Sequence, residues 1–97
     1  MPPSSDEDGA ARRVVVLPKP LHARPAGQLA RLAGRHKETT ILLVAGAKNA
    51  NARGVLAVMA MGAVTGTEMT VTVTGPDAEA VADEATDILT AAEAVDG

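Results

Sequence analysis

Residues 68–74 read EMTVTVT and run into GPDAEAVADEATDIL at 75–89. Met69, Val71 and Val73 alternate with Glu68, Thr70, Thr72 and Thr74, the period-two pattern of a strand with one apolar and one polar face. Gly75-Pro76-Asp77 predicts a turn. Beyond it Val81, Ala85, Ile88, Leu89 and Ala92 recur along one side of a helix, opposite Glu79, Asp83, Glu84 and Asp87. A half-buried strand followed by an amphipathic helix implies a sheet covered on one face and wet on the other. Antiparallel sheets are built that way.

The rest of the chain fits the same plan. Arg13-Val14-Val15-Val16-Leu17 is a β-branched run stopped by Pro18, which predicts a strand. Ala26, Leu29, Ala30 and Ala33 recur at helical spacing, with Gln28, Arg31 and Arg35 on other faces, predicting a helix over Ala23 to Arg35. Pro25 is tolerated there because first-turn amides have no intrahelical acceptor to lose. Thr39 to Val44 predicts a second strand closed by Ala45-Gly46-Ala47, and Lys48 to Asn51 a short third that completes a hairpin. Val55, Leu56, Val58, Met59 and Met61 form a short apolar helix ended by Gly62. The order βαββαβα, with every helix amphipathic, predicts an α+β open-faced β-sandwich: three helices packed on one side of a four-stranded antiparallel sheet.

Composition bounds what such a fold can do. Ninety-seven residues make one domain. The opening MPPSSDEDGAA has no apolar periodicity, so residues 1–11 are expected to form a disordered acidic tail, with the domain over 12–93 and a flexible C-terminus over 94–97. Phe, Trp and Tyr are absent, so the core must be aliphatic and thin. The absence of cysteine excludes disulfides, thiolate metal sites and cysteine nucleophiles. No apolar run is long enough to span a bilayer and no charged-then-apolar leader opens the sequence, so a soluble, cytoplasmic monomer is expected. Net charge is −3, yet all nine Lys and Arg residues lie between Arg12 and Arg53 with Glu38 as the only acid among them. Such a basic half suits acidic partners. Without an aromatic to stack on a base, nucleic acid is not expected among them. The two histidines and scattered carboxylates offer no ligand spacing, so no metal and no cofactor are expected.

The stretch PLHARPAG, residues 20–27, carries the chemistry. With a helix opening at Ala23, His22 is the N-cap, beside an end that carries about half a positive charge and suits an anion. That charge disfavours imidazolium and leaves a ring nitrogen free to act as a nucleophile. It favours a dianionic phosphoryl group on that nitrogen, with Arg24 close enough in sequence to add a charged donor. Phosphoryl transfer needs positioning and charge stabilisation more than covalent machinery, so this small set of groups can suffice. His36, in GRHKE near the C-terminus of the same helix, is assigned no role.

Leu21-His22-Ala23-Arg24-Pro25-Ala26 resembles the L-H-A-R-P-A motif of the HPr family, the histidine-containing phosphocarriers of the bacterial sugar phosphotransferase system. The resemblance covers about residues 12–92, including the strand ending in Leu17-Pro18, the stretch NARGVLAVMAMG at 51–62 and the closing amphipathic helix. It implies the same open-faced sandwich. It also implies that Nδ1 of His22 accepts a phosphoryl group from Enzyme I, charged by phosphoenolpyruvate, and passes it to a histidine of EIIA proteins. Ala23 and Arg24 would hold the phosphoryl. Partners of the family dock on the first two helices, which here implies Ala23, Gly27 and Arg31, then Arg53, Val55, Leu56 and Met59. Lys19 and Arg31 would steer acidic partners.

Two positions depart from the family pattern. Pro20 stands where a glycine usually precedes Leu-His, which should stiffen the approach to His22. Gly54 stands where many members carry a serine phosphorylated by a regulatory kinase, so that control should be missing. Two other readings keep the fold: a dedicated carrier for dihydroxyacetone or nitrogen-related phosphotransfer, and a regulatory binding module that carries no phosphate. Relatives of the latter kind lack the histidine, so the intact motif argues against it.

Overall fold

The elements follow in the order β1 (Ala10–Val16), α1 (Ala23–Arg35), β2 (Thr40–Ala45), β3 (Lys48–Asn51), α2 (Val55–Ala60), β4 (Glu68–Thr74) and α3 (Ala78–Asp96). They come from a computed structural model that describes residues 9–96. The acidic residues 1–8 of the expected tail, Gly97 and the Ala92 side chain lie outside that description. The boundary of the expected tail moves. Ala10 and Ala11 belong to β1, where Ala11 pairs with Val73 and is buried. At the other end α3 continues to Asp96, three residues past the expected domain end at 93.

The strands form one antiparallel sheet in the order β1-β4-β2-β3. Its register turns the sequence alternation into faces. Ala11, Val73 and Ile41 form one row across three strands, and Val71, Leu43 and Ala50 form another. All six are buried. The neighbouring rows face away from the helices. Their β4 members, Thr70 and Thr72, are polar as expected, but Val14 and Val16 on β1 are 54% and 61% exposed. β1 satisfies its β-branched propensity on both faces even though only one face has a core to join.

All three helices cover the other face. α3 lies over β1 and β4, α1 packs beside α3, and α2 packs beside α1. α1 buries Ala26, Leu29 and Ala33 as its periodicity requires, together with Leu32, while Ala30 is only half-buried. α3 contributes Val81, Ala82, Ala85 and Leu89, and α2 contributes Val58. On the helix side, Arg13 reaches from edge strand β1 to Glu79 (2.6 Å) and Asp83 (3.1 Å) of α3. The hydrogen bond to Glu79 is the main cause that raises the guanidinium pKa; burial opposes it, and the bond to Asp83 adds to the rise. Arg35 similarly joins α1 to Glu84 of α3 at 3.2 Å. All three pairs are partly exposed, so each contributes on the order of 0–1 kcal/mol.

The turn from α1 to β2 is tied to the end of β4. Thr39, fully buried, donates its hydroxyl to the Pro76 carbonyl at 2.7 Å. Thr39→Val keeps the shape and leaves that carbonyl without its donor, so it is expected to cost about 1–2 kcal/mol in urea unfolding. A change below about 0.3 kcal/mol would mean that water replaces the hydroxyl.

Candidate phosphoacceptor site

β1 ends at Val16, and the chain reaches α1 through Leu17-Pro18-Lys19-Pro20-Leu21. The two leucines of this connection are buried, while Pro18 and Pro20 are exposed. Between these anchors and the helix stands His22, exposed and extended (φ −107°, ψ −161°), as the N-cap of α1. Its imidazole makes no capping hydrogen bond. A serine or aspartate at this position would turn its side chain inward to the helix amides. The histidine caps with backbone alone and leaves its ring to the solvent.

The local chain explains the polarity of this end. The helical ladder opens with the Ala26 N–H on the His22 carbonyl at 3.1 Å. Pro25, buried at the third helical position, carries no N–H. The amides of Ala23 and Arg24 therefore lie ahead of the first helical bond, at the end where His22 stands. No acidic residue occupies the first turn. The helix end, exposed Arg24 and half-buried Lys19 all bring positive charge to this corner of the molecule. An exposed helix terminus contributes about 0.3–1 kcal/mol toward a bound anion, and a hydrogen bond to a charged group about 1.5–3 kcal/mol. Groups of that strength can hold an anion without trapping it.

The expected partner surface divides. α2 runs back along α1: Arg53 touches the Lys37 carbonyl beyond the α1 C-terminus, and the Ala63 carbonyl accepts the Leu21 N–H beside its N-terminus. Leu56 is 82% exposed and Met59 38% exposed, one turn closer to His22. Arg31 is exposed on α1 with no side-chain hydrogen bond or ion pair among the described residues. Gly27 is half-buried, with open space where a Cβ would stand. Two residues of the expected surface have other work. Val55 is half-buried and packs on the core. The Arg53 guanidinium donates to the carbonyls of His36 (3.3 Å), Lys37 (2.8 Å) and Thr39 (3.3 Å). It holds the far turn of α1, about 20 Å from His22 by the rise of thirteen helical residues. Sequence pattern gave no sign of that clamp, because its acceptors are main-chain carbonyls.

A cleft of ≈ 280 Å³ lined by Arg35, His36, Lys37, Glu38, Thr39 and Pro76 also lies at that far end. His36 is the C-cap of α1, its N–H on the Ala33 carbonyl. The two histidines thus stand at opposite ends of one helix, and only His22 has the amide end.

Comparison with known proteins settles the family. A family pattern described as the PTS HPr component phosphorylation site matches residues 11–91. The chain belongs to the HPr family. Within that family, a phosphocarrier protein HPr of Mycoplasma capricolum is 42% identical over 59 residues, covering 61% of this chain and 65% of the relative. The HPr crystal structure from Bacillus anthracis superimposes with a TM-score of 0.74 at 25% identity, covering 84% of this chain and 98% of that one. The structure of the histidine-containing phosphocarrier protein of mycoplasma also gives 0.74, at 32% identity, covering 80% and 90%. The three-helix, four-stranded open sheet is the HPr fold, and HPr proteins are phosphocarriers of the phosphotransferase system.

Proposed function

We propose that this HPr-family chain carries phosphoryl groups on Nδ1 of His22, taking them from phosphorylated Enzyme I and delivering them to a histidine of EIIA proteins for sugar uptake, in the cytoplasm. The observation that carries the reading is the exposed imidazole at the N-cap of α1, making no capping bond and standing beside the amides of Ala23 and Arg24. On loading, the Nδ1 lone pair of His22 attacks the phosphorus held by Enzyme I, and the bond to Enzyme I breaks with its electron pair staying on Enzyme I. On delivery, a ring nitrogen of the EIIA histidine attacks and the N–P bond of His22 breaks with its pair returning to the His22 ring. The accepting ring sheds the proton of its far nitrogen to solvent, and the departing group takes one up. Ala23 N–H and the Arg24 guanidinium steady the phosphoryl oxygens as charge spreads over them. Delivery from His22 to another histidine exchanges one N–P bond for another, so that step is close to balanced and runs either way with supply.

Leu56 and Met59 give the docking surface its exposed apolar centre, and Arg31 a cation suited to acidic partners. The chain acts as a carrier, not as an enzyme. The test is incubation with phosphoenolpyruvate and Enzyme I, which should place one acid-labile phosphoryl group on His22 and chase it to an EIIA protein. A labelled chain that passes nothing to any EIIA protein would point to a dedicated client instead.

Gly54 makes a separate prediction. It is the N-cap of α2 with φ −98°, and an added Cβ would meet only the Ala57 Cβ at 3.5 Å and the Asn51 carbonyl at 3.7 Å. Serine therefore fits, and Gly54→Ser should stabilise the chain by a few tenths of a kcal/mol by capping α2. A serine-directed HPr kinase is expected to leave the natural chain unlabelled at this turn and to label Gly54→Ser. Efficient labelling of the natural chain would show that another hydroxyl serves.

A further inference from the structure

Thr67 lies in the turn between α2 and β4, among none of the residues to which phosphotransfer has been assigned. The connection from β1 to α1 has few backbone donors of its own, since Pro18 and Pro20 carry no N–H. It is held from one side by three bonds. The Leu17 N–H donates to the Thr67 carbonyl at 2.9 Å, the Gly66 N–H donates to the Leu17 carbonyl at 2.8 Å, and the Leu21 N–H donates to the Ala63 carbonyl at 3.1 Å. Every partner belongs to residues 63–67. That segment is closed on itself through Thr67, whose N–H donates to the Val64 carbonyl at 3.0 Å and whose Oγ1 accepts the Val64 N–H at 3.1 Å. Thr67 thus commits its N–H, its carbonyl and its hydroxyl oxygen to one turn and the strand it supports.

We propose that Thr67 is a positioning residue for phosphoryl transfer: its hydroxyl closes the 63–67 turn, the turn's Ala63 carbonyl anchors Leu21, and Leu21 delivers His22 to the end of α1. The inference rests on the phosphocarrier reading of His22. Two physical effects differ in size here. Val64 is exposed, so its amide takes water when the hydroxyl is removed, and the fold loses little. Reacting geometry is less forgiving, since a misplacement of about 1 Å costs up to about a hundredfold in rate. A bond of small worth to folding can therefore weigh heavily on transfer. Gly66 serves the same turn, its φ of 89° being one that side chains rarely adopt.

The test compares Thr67→Val, which keeps the shape and removes the oxygen, with Thr67→Ser, which keeps the oxygen. Thr67→Val should lower kcat for labelling by phosphorylated Enzyme I about tenfold with KM changed less than about twofold. Its Tm should fall by no more than about 5 °C. Hydrogen exchange at the Leu21 amide should accelerate, the His22 ring resonances should move, and Thr67→Ser should restore all of these. Wild-type kcat with unchanged Leu21 exchange in a folded Thr67→Val would overturn the proposal. So would a change confined to KM, or a Thr67→Ser as impaired as the valine. Should Thr67→Val not fold, Thr67→Ala removes the same oxygen and is read in the same way. If the natural chain takes no label at all, the phosphocarrier reading fails by itself. The exchange rate and ring resonances then decide the positioning role alone.

Discussion

His22→Ala is expected to abolish the acid-labile label formed with phosphoenolpyruvate and Enzyme I, while changing stability by less than about 0.5 kcal/mol. The label is lost because nothing else in the first turn is a nucleophile: the side chains of Ala23 and Pro25 are hydrocarbon, and a guanidinium does not act as one. Stability is kept because the imidazole is exposed and makes no capping bond, so alanine removes no cap and little packing. His36→Ala is the matched control. It removes the other histidine, at the C-cap of the same helix, and should leave the label intact. Mass spectrometry of the intact chain before and after acid treatment reads both variants together with their unfolding curves. Full labelling of His22→Ala would end the assignment of the phosphoacceptor.

Gly75→Ala is expected to destabilise the fold by roughly 2–5 kcal/mol, the sum of a strained backbone and a displaced neighbour. Gly75 follows β4 at φ 128°, in a region open to glycine and costly for other residues. A Cβ there would stand 2.6 Å from the Glu38 carbonyl oxygen and 2.8 Å from the Thr39 Cα, both main-chain atoms with no rotamer to yield. The same residue donates its N–H to the Gly9 carbonyl at 2.6 Å, so it joins the starts of β1 and β2 to the end of β4. A loss of that size in an aliphatic domain of this length should lower Tm by more than about 10 °C. Calorimetry that finds alanine tolerated within about 3 °C would mean that the 38–39 turn relaxes freely. The residual folded protein should still label on His22, because Gly75 lies at the opposite end of β4 from Thr67 and its turn.

How much could be read beforehand differed by element, for a physical reason. α1 runs over Ala23–Arg35, as its periodicity and proline required, and Lys48–Asn51 forms the short third strand despite its polar sequence. Those elements carry their determinants locally, in spacing, caps and turn residues. The start of β1 does not. Ala10 and Ala11 have no strand signal of their own and are recruited by pairing with Thr74 and Val73, a tertiary decision. α2 divides likewise: six residues with several large apolar side chains cannot bury them all, and only packing beside α1 decides that Val58 goes in while Leu56 and Met59 stay out.

By itself the sequence determined the order of the elements, the single apolar face of β4 and the placement of a histidine at a helix start, because each follows from neighbours within a few residues. Tertiary structure alone decided that Arg53 clamps the turn after α1, that Gly75 admits no side chain, and that residues 63–67 hold the approach to His22. Each of these depends on main-chain groups distant along the chain, as hydrogen-bond partners or as a steric wall, and main-chain groups are the same at every position. No pattern of side chains could announce them.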